Sequence, residues 1–357
     1  MFSSISRRIF LTALLFLMGM LAVQLAGCSK PEQSNPRLEG QIYGTFWQVT
    51  LPGSFSEERI AELHTGIVEV LQQIDASMST YRDDSELMRF NRLPAGEWMV
   101  LSKPLLDVLL LSQSVSESSD GAFDVTVGRL VNLWSFGPEQ RPLAIPDEQE
   151  LQQRLAQVGY QNLELDIEGG RARKHSDCFV DLSGVAKGFA VDEVARWLKG
   201  QGLEHFLVNI GGDLLAGGER EAGQPWRIGV EVPHEGLPAA HHVLPIRNMS
   251  VATSGDYRNF FEEDGQRFSH TIDPTTGWPI KHNLASVTVL TPDNASADAW
   301  ATAFMVMGVE RSLEVAQAEG IKLLLITREN GGWRSYISES MEEYVGSEMA
   351  SELLERR

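Results

Sequence analysis

Three stretches of this chain carry residues able to do chemistry together. In Ser269 to Ile280 (SHTIDPTTGWPI), His270 stands three residues before Asp273, and Pro274, Gly277 and Pro279 enforce a turn. An unperturbed imidazole is partly neutral near pH 7, so it can accept a proton there. In Val180 to Phe189 (VDLSGVAKGF), Asp181 ends an apolar strand, Ser183-Gly184 makes a tight connection, and Lys187 opens a helix. A junction of that kind points backbone N–H groups and a positive helix end at whatever sits above it. The helix dipole favours acids in a first turn, so Lys187 makes more sense if a phosphate shares the site. In the third stretch, from Ser296 to Thr302, Ser296 reads as an N-cap and Asp298 and Thr302 fall at i and i+4 on one helix face. A carboxylate and a hydroxyl so placed can share one hard cation, with water and carbonyls completing an oxygen shell.

Each stretch also has an ordinary reading. His270 can simply cap a hairpin, Lys187 can be a surface lysine on a βα unit, and Asp298 can do no more than satisfy a helix dipole. The GxxxxGK[ST] spacing of a phosphate loop is absent. The residues alone leave these alternatives open.

The elements that must hold these groups follow from periodicity and turn chemistry. Tyr257 to Phe268 reads as a hairpin with an Asp264-Gly265 turn, which puts His270 where a rigid sheet hands over to a loop. Gln41 to Leu51 reads as a first strand, with Tyr43-Gly44-Thr45 near its start. Ser56 to Met78 is the clearest helix, because Ile60, Leu63, Ile67, Leu71, Ile74 and Met78 form one apolar stripe. Tyr81 follows it in a polar cluster, either as a lid on the core or as the wall of a pocket for a flat ligand. Ser102 to Ser118 is a second helix and Asp147 to Val158 a third, with Ala122 to Gly128 between them. Phe206 to Leu215 reads as a buried strand running into Gly211-Gly212, and Asn283 to Leu290 as a strand of alternating character.

The chain has 357 residues, 43% hydrophobic and 22% charged, which fits a soluble globular body of one large domain or two. Its first 27 residues stand apart. Arg7 and Arg8 precede an apolar run, and Leu25-Ala26-Gly27-Cys28 ends it, which reads as a secretory signal resembling a bacterial lipobox with Cys28 as the lipidated residue. Residues 28–37 then form a polar tether, 38–345 the folded body and 346–357 a tail. Loss of the signal removes two arginines and no acids, taking the formal charge from −19 to −21. A chain this acidic repels nucleic-acid phosphates, and no nucleic-acid partner is expected. Cys178 would be the one remaining thiol, a core residue between Asp177 and Phe179.

Taken together, the lipobox, Ala122-Phe123-Asp124, DLSGVAKGF, Asn209-Ile210-Gly211-Gly212-Asp213, His270-Thr271-Ile272-Asp273-Pro274 with Thr276-Gly277, and Ala297-Asp298-Ala299 with Thr302 resemble the ApbE family of FAD:protein FMN transferases. The motifs occur in the family's order over about residues 38 to 345. The resemblance implies a mixed α/β (α+β) fold, with helices around a central sheet and a cleft between two lobes. It implies transfer of FMN from FAD to a threonine or serine hydroxyl of a target protein, with release of AMP and dependence on Mg2+. By motif, Asp298, Thr302 and the Gly184 carbonyl would hold the metal. Lys187 would pair with phosphate, and Asp181, Tyr43, Tyr81, Ala122, Phe123, Asp124 and the Ile272 backbone would contact FAD. His270 would deprotonate the acceptor.

Two departures stand out. Tyr43 replaces a frequent methionine, and Trp300 stands where a smaller residue is usual, which implies altered packing with the metal site kept. The acceptors implied are periplasm-facing subunits of sodium-translocating quinone reductase or the Rnf complex. The enzyme itself would be lipid-anchored to a bacterial membrane facing the periplasm. Ser29 lacks the aspartate that retains lipoproteins at the inner membrane of enteric bacteria, so the choice of membrane is open, with the outer one favoured by analogy. The same site would serve a pyrophosphatase that hands FMN to water. A lipoprotein that only stores FAD would need no His270, and a plain solute-binding lipoprotein would make the motif spacing accidental.

Overall fold

The computed structural model describes residues 32–355, apart from 140, 232–239, 257–258, 264 and 330–331. The signal segment, Cys28 and Ser29 lie outside the described residues. Eight strands make the main sheet: Arg37–Ile42 (β1), Thr45–Thr50 (β2), Phe206–Ile210 (β3), Asp213–Gly217 (β4), Met249–Gly255 (β5), Leu284–Thr291 (β6), Lys322–Glu329 (β7) and Gly332–Ile337 (β8). Each pairs antiparallel with its neighbours in chain order, so the sheet is a meander interrupted by long excursions. The chemistry-bearing stretches sit in those excursions or at the strand ends that launch them.

Two expected strands are in fact hairpins. Tyr43 and Gly44 form a two-residue turn between β1 and β2, with Tyr43 at φ 52°. Gly211 and Gly212 turn β3 into β4 at φ 61° and 104°, a conformation glycine adopts without steric cost. β6 was expected to alternate between buried and exposed, yet all eight of its residues are buried. Both faces of the sheet are covered, so its Ser286 and Thr288 are interior too.

The helices are α1 (Glu57–Met78), α2 (Glu86–Arg92), α3 (Lys103–Ser118), α4 (Gly128–Leu133), α5 (Glu148–Leu155), α6 (Ala186–Gly200), α7 (Asn294–Met307), α8 (Val309–Glu319), α9 (Glu339–Val345) and α10 (Ser347–Leu354). Ser56, Ser102 and Asp147 cap α1, α3 and α5 through their side-chain oxygens. α1 buries Leu63, Ile67, Leu71, Ile74 and Met78 in the main core with α3, α6 and α7. A second cluster lies on the other sheet face, under the Trp226–Ile246 ribbon and the last two helices. A third, formed by Leu130, Leu133, Trp134, Leu151, Phe261, Phe268 and Ile272, is built around α4, α5 and the Phe260–Ser269 hairpin. Among the described residues no helix is long and apolar enough to cross a membrane.

The ends of the folded body also differ from the expected limits. Glu32–Ser34 pairs with Ser54–Ser56, so ordered pairing begins inside the segment expected as a tether. Leu353 of α10 is buried in the second cluster beside Met341, so residues 347–354 belong to the fold. Cys178 is buried as expected, but in an irregular segment whose neighbour Phe179 makes one isolated parallel bridge to Val127.

α6 and α7 cross with their backbones in contact at Gly188. A methyl there would lie 2.3 Å from the Asn294 oxygen and 2.7 Å from its carbonyl carbon. Backbone atoms cannot rotate aside, so Gly188→Ala is expected to destabilise the protein by about 1–3 kcal/mol. Equilibrium urea unfolding checks this, and an unchanged midpoint and slope would contradict it.

Candidate active site

The α7 start comes first, because it sets where Asp298 and Thr302 lie. The N-cap is Asp293, whose carboxylate accepts from Ser296 N at 2.9 Å; Ser296 was the expected cap and is instead inside the first turn. Starting earlier brings Asn294 into the helix, where its Nδ2 donates to the Leu214 and Val251 carbonyls of β4 and β5. Asn294, Asp298 and Thr302 then recur every four residues along one stripe. Trp300, off that stripe, is buried and stacks on Phe304 with ring centroids 5.1 Å apart. It packs without displacing the two oxygen-bearing side chains.

Asp298 is only 4% exposed. Its Oδ2 accepts the Gly188 N–H of the first turn of α6 at 3.0 Å, and its Oδ1 lies 3.5 Å from Lys187 Nζ. Lys187 also donates to Asp213, a buried carboxylate directly after the Gly211-Gly212 turn. These acids explain a cation in the first turn of α6, a place where the sequence suggested phosphate as its partner. Asp213 is the residue the sequence reading left without a role, and a carboxylate following a glycine turn was the available signal. Burial pushes the Asp298 carboxyl up to about 6, even with Lys187 beside it. Burial works against the Lys187 ammonium, but Asp213 and Asp298 outweigh it and leave its pKa raised.

Gly184 faces the same point. A methyl at Gly184 would sit 3.1 Å from Thr302 Oγ1, so its main chain and the hydroxyl are neighbours. Carboxylate, hydroxyl and main-chain carbonyl are all hard oxygen donors. Two buried carboxylates share one ammonium, so when both are ionised the cluster is short of positive charge. Among the described residues no group of three or more His, Cys, Asp or Glu is placed to hold a metal. The donors that meet at this point are oxygens, one of them a buried carboxylate, and such a set fits a hard cation such as Mg2+.

The Asp181 loop is held by side chains rather than by a sheet. Asn91 donates to the Val180 carbonyl at 2.8 Å and accepts its N–H at 2.7 Å, doing the work of a neighbouring strand. The buried Lys174 ammonium donates to the Asn91 and Cys178 carbonyls. Asp181 accepts from the Ser183 N–H and hydroxyl, and its own N–H donates to the Val125 carbonyl. That bond lays Ala122 to Asp124 alongside, with the Phe123 ring 3.2 Å from where a Gly184 methyl would be. Asp124 is buried and accepts from the Thr126 N–H and hydroxyl, so its carboxylate closes its own turn. Burial raises its pKa. Tyr81 is 70% exposed, and its phenol pKa is raised, first by partial burial and then by the charge of Asp181. Tyr43 is tied elsewhere: its hydroxyl donates to the Leu71 carbonyl of α1 at 2.7 Å.

His270 ends the Phe260–Ser269 hairpin, as the aromatic run and turn signals require. Phe261 and Phe268 stack at 5.1 Å, Trp134 packs on both, and the Trp134 indole donates to the Gly277 carbonyl. Asp273 accepts from Thr275 N–H and Oγ1, closing the turn, while Ile272 is buried in the third cluster and bridges to Pro279. His270 Nδ1 lies 3.0 Å from the Asn259 carbonyl. A carbonyl only accepts, so Nδ1 carries the proton and Nε2 keeps its lone pair. Burial holds the imidazole pKa below its ordinary 6.5; the Asn259 contact opposes this, and the nearby Lys187 charge adds to it. A neutral base therefore stands within electrostatic reach of the oxygen cluster.

A mixed α/β chain with hard oxygen donors and an ammonium at a helix amino end, and an imidazole within electrostatic reach of that ammonium, is of the class that handles phosphate groups. The chain belongs to the ApbE family, whose model matches residues 43–325. It is 39% identical over 337 residues to the FAD:protein FMN transferase of Escherichia coli (strain K12), covering 92% of this chain and 96% of that one. The Vibrio cholerae (strain ATCC 39541) FAD:protein FMN transferase is 42% identical over 325 residues, covering 90% and 96%. Among solved structures, the apo flavinyl transferase ApbE of Pseudomonas stutzeri superposes with a TM-score of 0.80 at 36% identity, covering 89% of this chain and 98% of that one.

Proposed function

We propose that this chain transfers the FMN moiety of FAD to a threonine or serine hydroxyl of acceptor proteins, releasing AMP. The observation that carries this reading is the convergence of Asp298, Thr302, Gly184 and Lys187 at the start of α6, with His270, its Nδ1 on the Asn259 carbonyl, within electrostatic reach of Lys187. Asp298, Thr302 and the Gly184 carbonyl would hold Mg2+, which when bound supplies charge neutralisation for the pyrophosphate and the departing AMP. His270 Nε2 takes the proton of the acceptor hydroxyl. The hydroxyl oxygen forms a bond to the FMN phosphorus, and the phosphorus–oxygen bond to AMP breaks. Lys187 would support negative charge on the phosphates, and Tyr81 and Asp181, close enough for the carboxylate charge to reach the phenol, would line the nucleotide's space.

Lipid anchoring through Cys28, facing the periplasm, completes the proposal. It would hold the enzyme near acceptors such as subunits of sodium-translocating quinone reductase or the Rnf complex. AMP release from FAD tests the transferase reading against hydrolysis. AMP should appear only when an acceptor domain bearing the target hydroxyl is present, and equal release without acceptor would make the chain a pyrophosphatase.

The proton-accepting role also fixes a pH profile. A base works when deprotonated, and burial lowers the His270 pKa. The acid limb of kcat/KM should therefore lie below pH 6.5, with activity flat through neutrality. A limb at or above pH 7 would contradict this assignment.

A further inference from the structure

α6 and α7 cap each other. Asp298 of α7 accepts the Gly188 N–H in the first turn of α6, where the N-cap residue Val185 supplies no side-chain bond. In return Asp192, one turn further along α6 from Gly188, takes the first two amides of α7. Its Oδ1 accepts Asn294 N–H at 2.7 Å and its Oδ2 accepts Ala295 N–H at 2.9 Å. Asp293 takes the third amide, Ser296 N–H. All three first-turn donors of α7 are thus spent on carboxylates, and both oxygens of Asp192 are spent on α7.

We propose that Asp192 is a positioning residue for the metal-binding oxygens. This rests on the reading of Asp298, Thr302 and Gly184 as the metal site. The backbone contact at Gly188 fixes how closely the helices approach, but a contact point alone leaves α7 free to slide and turn about its axis. The two-pronged bond from Asp192 removes that freedom. A slip of one residue would rotate the stripe by about 100° and carry Asp298 and Thr302 away from Gly184. Both Asp192 oxygens bond main-chain amides of α7 rather than the oxygen donors, so it acts through helix register.

The test uses Mn2+ as the probe, with its affinity for the acceptor-free protein read from the free Mn2+ EPR signal, and FAD affinity from flavin fluorescence. Asp192→Ala leaves two α7 amides without an acceptor and should weaken Mn2+ binding by about 10–100-fold, the scale seen when groups that orient metal ligands are lost. Asp192→Asn keeps one acceptor oxygen and should fall between Ala and wild type, with near-native FAD affinity; it carries the test if the alanine variant does not fold. Wild-type Mn2+ affinity in Asp192→Asn, together with wild-type affinity in any folded Asp192→Ala, overturns the inference. Asp298→Ala separates the two levels. If it too leaves Mn2+ affinity unchanged, the metal-site reading fails and takes this inference with it, whereas loss in Asp298→Ala alone removes only the role of Asp192.

Discussion

His270→Ala is expected to lose FMN transfer by roughly 10²–10⁴-fold while binding FAD as tightly as the native chain. The Asn259 carbonyl fixes the proton on Nδ1, which leaves Nε2 as the acceptor, and the third core cluster holds the hairpin that carries the ring. Truncation removes the base but leaves Trp134, Phe261 and Phe268 packed, so the fold should survive. Single-turnover transfer to an acceptor measures the first part and flavin fluorescence titration the second. Undiminished transfer would remove His270 from the proton-accepting role. Loss of FAD affinity in step with activity would make it a binding residue.

Asp298→Ala should be at least as damaging, with activity down by on the order of 10²–10³-fold and not restored by raising Mg2+. Asp298 is the one carboxylate among the proposed metal donors, and it is buried beside an ammonium already shared with Asp213. Its removal costs the Gly188 amide a partner, an effect of about 1 kcal/mol as for a lost cap. It also relieves a buried carboxyl whose pKa burial has raised to about 6. These contributions oppose each other, so the variant should remain folded and the loss should be chemical. Activity against Mg2+ concentration, with circular dichroism as the folding check, measures it. Full recovery at high Mg2+ would mean that Asp298 only tunes metal affinity.

Much of this arrangement was legible in the sequence, and the exceptions have physical causes. The helix limits expected at Ser56 and Ser102 are kept by the structure, because an apolar stripe is a local signal and both serines turn out to cap their helices. The β1–β2 turn was missed because its first residue, Tyr43, adopts a positive φ that tyrosine rarely takes, which left Gly44 as the one turn signal. The Gly211-Gly212 turn was visible as glycines, but its flanks are so apolar that they read as one strand. At α7, Ser296 and Asp293 are both acceptable caps by type. Contacts from Asp192 and with β4 and β5, distant in sequence, favour the earlier start. The same cause hid Asp213 and Asp192. Each acts on residues about 26 or 100 positions away; the glycine turn marked Asp213 locally, but no local pattern reports a partner that far along the chain. Asp298, Thr302, Gly184, Lys187 and His270 were singled out because each sits in a short run, and it was the resemblance of those runs to the ApbE family that assigned them to one site.

The central claim is that a phosphorus centre moves from FAD to a protein hydroxyl. It is tested most directly by the intact mass of an acceptor domain after incubation with residues 29–357, FAD and Mg2+. The account predicts a gain equal to one FMN less water on the acceptor, matched by AMP. Free FMN and AMP over an unmodified acceptor, repeated with a second acceptor, would contradict it in favour of hydrolysis. FAD left intact throughout would contradict any catalytic reading.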